Sequence, residues 1–242
     1  MEVKKTFRRV YVWQLAVRIF HWLNVLALIL LILTGFLIAN PPAFLIKAEA
    51  TDVYFMGINR LIHFIAAYLF FFVMILRLYW AFAGNKFAHW TSFIPFGKEK
   101  IENFIHVLKI DILLMNEKVH DPKHISVGHN SVATFSYLIM FFIALVQVFT
   151  GFGIYSATSD WWLPNLFSWV VPFLGGDFAA RQIHHIAMWL FIFFSLIHIY
   201  LVFYHDWLEG RGEASSMISG YKFVGSGRIK KNPKLTKTKA EE

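Results

Sequence analysis

Apolar residues in this chain gather into four long runs, near 19–39, 60–82, 132–156 and 183–205. About 20 helical residues cross the roughly 30 Å of bilayer hydrocarbon, so each run predicts one membrane-spanning helix. The first run follows a basic segment (Lys4, Lys5, Arg8, Arg9, Arg18), as the apolar core of a secretory leader would. It is too long for such a core, no small-residue cleavage site follows, and Asn40-Pro41-Pro42 reads as a helix stop outside the bilayer. Between the spans, Ile101, Phe104, Ile105, Leu108 and Ile112 recur at helical spacing over 101–115 and predict a helix lying on the membrane surface. The 161–178 segment is too short and proline-interrupted to cross, yet it carries three Trp and three Phe, which predicts a position along the outer interface or against a partner. Residues 211–242 are rich in Gly, Ser and Lys without an apolar period, and predict a flexible tail.

Charge assigns the sides. Lys and Arg number five in 1–18, one in 40–59, six in 83–131, none in 157–180 and eight in 206–242. The positive-inside rule then places both termini and the 83–131 loop in the cytoplasm. The fold class expected is an all-α integral membrane protein of the cytoplasmic membrane. A four-transmembrane-helix bundle over 19–210 lies between a basic N-terminus (1–18) and the tail. The net charge of +8 follows from this topology, with anionic lipid at the inner leaflet as a partner, and calls for no nucleic acid.

Only 16% of the residues are charged, against about a quarter in ordinary globular domains, which agrees with burial in lipid. The absence of cysteine excludes disulfides, cysteine-held iron–sulfur clusters, thiolate zinc sites and c-type haem attachment. Histidine, with 11 copies, is the remaining abundant metal ligand.

Besides His205 at the very end of span four, five histidines fall in the spans: His21 in the first, His63 in the second, and His184, His185 and His198 in the fourth. Ionisable groups at membrane depth face the protein interior and mark ion, proton or cofactor sites. His198 follows His184 by 14 residues, which at helical geometry is roughly 21 Å along the axis and about 40° around it. One helix face thus offers ligands at two depths, whereas His185 points about 140° away from His198. Matching depths pairs His63 with His184 on the outer side and His21 with His198 on the inner side. Two stacked bis-histidine sites describe a carrier of two b-type haems, whose full axial coordination leaves iron free only to pass electrons. Tetrahedral zinc needs its ligands at one depth, which the 21 Å spacing denies to all four.

Arg18, Arg60 and Arg181 each precede one of these histidines by three residues, and could pair with haem propionates or simply anchor the helix at its boundary. Thr34-Gly35-Phe36 near the outer end of span one recurs as Thr150-Gly151-Phe152 near that of span three. Gly35 and Gly151 would let the backbone approach a flat cofactor or another helix closely.

Arg18-Ile19-Phe20-His21-Trp22-Leu23, followed by Leu31-Ile32-Leu33-Thr34-Gly35, resembles the N-terminal signature of the cytochrome b subunits of membrane-bound nickel–iron hydrogenases. Arg181-Gln182-Ile183-His184-His185-Ile186-Ala187-Met188-Trp189, running on through Phe194 to His198, resembles their C-terminal signature, with Gln182 where a small residue is expected. The resemblance covers about residues 7–210. It implies a membrane anchor that takes electrons from the Fe–S small subunit, itself bound to the Ni–Fe large subunit, through two haem b groups to a membrane quinone. A dimer of such heterotrimers is an assembly this allows. Hydrogen chemistry lies outside this chain.

The resemblance also implies a quinone near the inner haem, at the cytoplasmic start of span three, where Gly128, His129 and Asn130 stand. Histidine and asparagine there can supply a proton and a hydrogen bond to quinone oxygens, or Asn130 can serve as a helix cap. Tyr137 and His205 are further candidates. Two alternatives stay open. One is a γ-type cytochrome b of a formate dehydrogenase or another periplasmic oxidoreductase. The other is a histidine-using metal transporter, disfavoured because the spans hold no Asp, Glu or Pro.

Overall fold

The structure is a computed structural model that describes residues 7–43, 54–93, 105, 131–209 and 212–225. Four helices are long and apolar enough to cross a membrane: α1 (Leu15–Ala39), α2 (Phe55–Ala83), α3 (Ser131–Ser156) and α6 (Asp177–Glu209). Each contains one of the expected spans. Two short helices, α4 (Trp162–Asn165) and α5 (Val170–Phe173), lie between α3 and α6. The surface helix expected over 101–115 lies outside the described residues apart from Ile105, which is helical. Gly128, His129 and Asn130 also lie outside them.

Burial follows the logic of a protein dissolved in lipid. Many of the residues hidden inside these helices are small or polar, namely Ala27 and Thr34 in α1, Asn59 and Ala66 in α2, Ala144 and Thr150 in α3, and Ala180 and Ala187 in α6, beside larger ones such as Phe70, Met74, Met140, Phe152 and Phe191. Large apolar side chains such as Leu26, Ile29, Leu33, Ile65, Leu196 and Phe203 face outward. Lipid tails are as apolar as leucine, so association depends on close packing of small residues and on interhelical hydrogen bonds.

The chain forms two compact units. One comprises Ile19–Tyr79 and Leu145–Trp189. Here the short helices pack back onto the end of α3: Phe149 meets the rings of Phe167 and Trp169, with centroids 5.1 and 6.1 Å away, and Phe152 stacks on Phe167 at 5.4 Å. Trp162 and Phe173 of this aromatic segment remain exposed.

The other unit comprises Met1–Arg18, Trp80–Ala144 and Leu190–Glu242. Within the 211–242 segment expected as a tail, the described residues include regular elements. Residues 213–219 form helix α7 (Glu213–Ser219), and strand β2 (Tyr221–Gly225) pairs antiparallel with β1 (Phe7–Tyr11), Phe7 opposite Gly225 and Tyr11 opposite Tyr221. Val10, Val12, Trp13 and Val224 make the small core of this clasp. Trp13 Nε1 donates to Ser216 Oγ at 3.1 Å, and Lys222, itself buried, pairs with Glu213. Gly220 turns the chain from α7 into β2 with φ 85°, and its carbonyl accepts from the amides of Val12 and Trp13. A Cβ there would lie 2.7 Å from the Tyr11 ring, so glycine is required twice over. The clasp also grips the end of α2: Gln14 Oε1 accepts from Trp80 Nε1 and the Asn85 amide, and Asn85 Nδ2 donates to the Val12 carbonyl.

Candidate haem-ligand site

The first unit contains His63 and His184 in matching environments. Thr34, on α1, has its hydroxyl 2.8 Å from His63 Nδ1 on α2. Thr150, on α3, has its hydroxyl 2.8 Å from His184 Nδ1 on α6. Both threonines are buried, at 6% and 2% exposure. Side-chain amides brace the same level, Asn59 Nδ2 donating to the Thr34 carbonyl at 3.2 Å and Gln147 Nε2 to the His184 carbonyl at 3.0 Å. Interhelical hydrogen bonds between apolar helices hold the ligand-bearing helices in register.

Each threonine is followed by the glycine singled out in the sequence, and these glycines lie against imidazoles. A Cβ on Gly151 would come within 3.1 Å of His184 Cε1, and one on Gly35 within 3.6 Å of His63 Cε1 and of Met188 Sδ. The neighbouring His185 has a different setting, its ring edge-on to Phe36 at 6.4 Å.

His198 lies in the other unit, stacked on Phe194 with centroids 5.6 Å apart and 6.2 Å from the Tyr137 ring. Tyr137, expected as a quinone candidate, is thus a ring neighbour of an expected iron ligand. His21 meets Trp22 edge-on at 5.1 Å. His205 lies within α6.

The three arginines part company. Arg18 Nη1 donates to the Ile218 carbonyl of the clasp. Arg181 pairs with Asp177 one turn earlier at 2.6 Å, with both side chains more than half exposed, a bond of small net value. Arg60 is exposed at the start of α2. Sequence reasoning named the glycines of the repeated tripeptide and passed over its threonines. The signal was available, since the threonine precedes the glycine in both copies and each copy stands one span ahead of a histidine.

A family model described as prokaryotic cytochrome b561 matches residues 12–220. Among curated relatives, the probable Ni/Fe-hydrogenase B-type cytochrome subunit of Cupriavidus necator is 35% identical over 222 residues, which cover 90% of this chain and 88% of that protein. Its namesake in Rhizobium leguminosarum bv. viciae is 36% identical over 87% of each chain. The probable Ni/Fe-hydrogenase 1 B-type cytochrome subunit of Escherichia coli K12 is 31% identical over 90% of this chain and 93% of that protein. Apolar spans carrying half-buried imidazoles, with these matches, define a membrane cytochrome of the b type, which implies haem b. The chain belongs to the prokaryotic cytochrome b561 family, as its two histidine signatures led one to expect.

Proposed function

We propose that this chain is the electron-transfer membrane subunit of a Ni/Fe hydrogenase, holding two haem b groups and delivering electrons to a membrane quinone. The observation that carries this reading is the pair of outer imidazoles, His63 and His184, each engaged by a threonine through Nδ1, which leaves Nε2 for a metal. That donor set fits a haem iron, which takes two neutral imidazoles and needs no carboxylate. His21 and His198 would hold the second haem, a pairing that rests on their spacing from the outer pair. Each haem supplies a one-electron carrier cycling between ferric and ferrous iron. The chain's own work is to present the imidazoles and to exclude water with apolar helices.

The names of the relatives support other Ni/Fe-hydrogenase subunits as partners; the resemblance in the sequence implies that these are an Fe–S small subunit and, through it, the Ni–Fe large subunit. Quinone at the inner level is supported by Tyr137 standing beside His198 and by the chemistry of His129 and Asn130. Cytoplasmic termini are supported by the lysine and arginine count of the segments.

A reduced-minus-oxidised spectrum of the purified chain, with haem quantified as pyridine haemochrome, tests the reading. Two b haems per chain, falling to one in His198→Ala, are expected. A folded preparation without haem would overturn it. Hydrogen, and not formate, should reduce the haems in native membranes; the reverse result would give the chain to a formate dehydrogenase.

A further inference from the structure

We infer that Thr34 and Thr150 are positioning residues that set the tautomer of the two outer histidines and thereby tune the potential of the haem they hold. The inference deepens the proposed function and rests on it. It starts from the proton count of a hydroxyl. Thr34 Oγ1 lies 2.6 Å from the Leu30 carbonyl, four residues back in its own helix, and 2.8 Å from His63 Nδ1. A carbonyl oxygen only accepts, so the one hydroxyl proton points to Leu30. The remaining lone pairs of Oγ1 can only accept, and the proton between Oγ1 and the ring belongs to Nδ1. His63 therefore offers the lone pair of Nε2.

The second site repeats the count. Thr150 Oγ1 lies 2.6 Å from the Val146 carbonyl and 2.8 Å from His184 Nδ1. Threonine in an apolar helix commonly bonds the carbonyl one turn back. The helix itself thus turns each hydroxyl into an acceptor and commits its only proton before the histidine is considered. Two acceptors of the same kind, on different helices, face the two ligands of one iron.

The consequence is electronic as well as steric. An acceptor on Nδ1–H makes the imidazole a stronger donor through Nε2 and favours ferric iron, which lowers the potential. A hydroxyl is neutral and does so more weakly than a carboxylate would. The outer haem is therefore held above the potential that a carboxylate acceptor would give it. Loss of either hydroxyl raises it further and frees the ring to rotate.

The test compares Thr34→Val and Thr150→Val, which keep shape and remove the acceptor, with Thr34→Ser and Thr150→Ser, which restore it. Redox titration and low-temperature electron paramagnetic resonance of the two-haem chain are the readouts. In either valine variant one haem should shift to higher potential with altered g-values, the other should stay put, and haem affinity at that site should fall about 10- to 100-fold. The serine variants should return both readouts to the wild-type values. Pulsed resonance on wild-type chain labelled with 15N-histidine gives a check independent of variant folding: the outer ligands should show a protonated Nδ1. Outer ligands without that proton, or valine variants with both potentials and spectra unchanged, would overturn the inference. Wild-type chain without haem would sink the proposed function instead.

Discussion

At the scale of single residues the two glycines of the repeat are alike in sequence and unequal in space. The 3.1 Å approach to the His184 ring is tighter than ordinary contact, while 3.6 Å at His63 is van der Waals distance. Gly151→Ala should therefore push the His184 ring off its threonine at about 1–3 kcal/mol, the usual range for overpacking, and Gly35→Ala should cost less. Haem retention on mild heating of the two variants checks the order; equal losses would show that the spacing does not matter. The candidate ligands were legible in the sequence, because a histidine at membrane depth is expensive enough to be conspicuous. Their supports were not. A threonine in an apolar helix is commonplace, and only the structure shows that the hydroxyls of Thr34 and Thr150 end on imidazole nitrogens. Spacing three residues ahead of a histidine says which face an arginine starts from and not where it ends: Arg18 reaches the Ile218 carbonyl and Arg181 reaches Asp177.

Among the elements, the four spans could be read at once because hydrophobic length is a local property. The clasp could not. The segments of β1 and β2 alternate only weakly, Lys222 looks like a tail charge, and nothing within a short window of either strand announces a partner at the far end of the chain. Two strands alone hold little stability, so the clasp depends on its core and on Trp13 in particular. Trp13→Ala removes that ring and its bond to Ser216, a loss of about 3–5 kcal/mol that exceeds what a two-stranded sheet can absorb. Trypsin should then cut after Lys222 in the variant while sparing the wild type in intact inverted vesicles. Equal resistance would mean that something other than this core holds β2.

For the molecule as a whole, reporter fusions at the 40–59 and 157–180 segments should be active outside the membrane, and fusions at either terminus only inside, with lysine placement as the reason. An inside reporter active at 157–180 would reverse the orientation and put the proposed quinone level on the other side. The clasp adds a constraint in time. Trp13 and Ser216 are 203 residues apart, so the N-terminal strand emerges from the ribosome long before its partner exists. At about 5–20 residues per second it waits some tens of seconds, while every span is threaded into the bilayer. Closure of the clasp therefore waits until α6 and α7 have been made: a chain halted before β2 leaves β1 as an open sheet edge, free to pair with another strand.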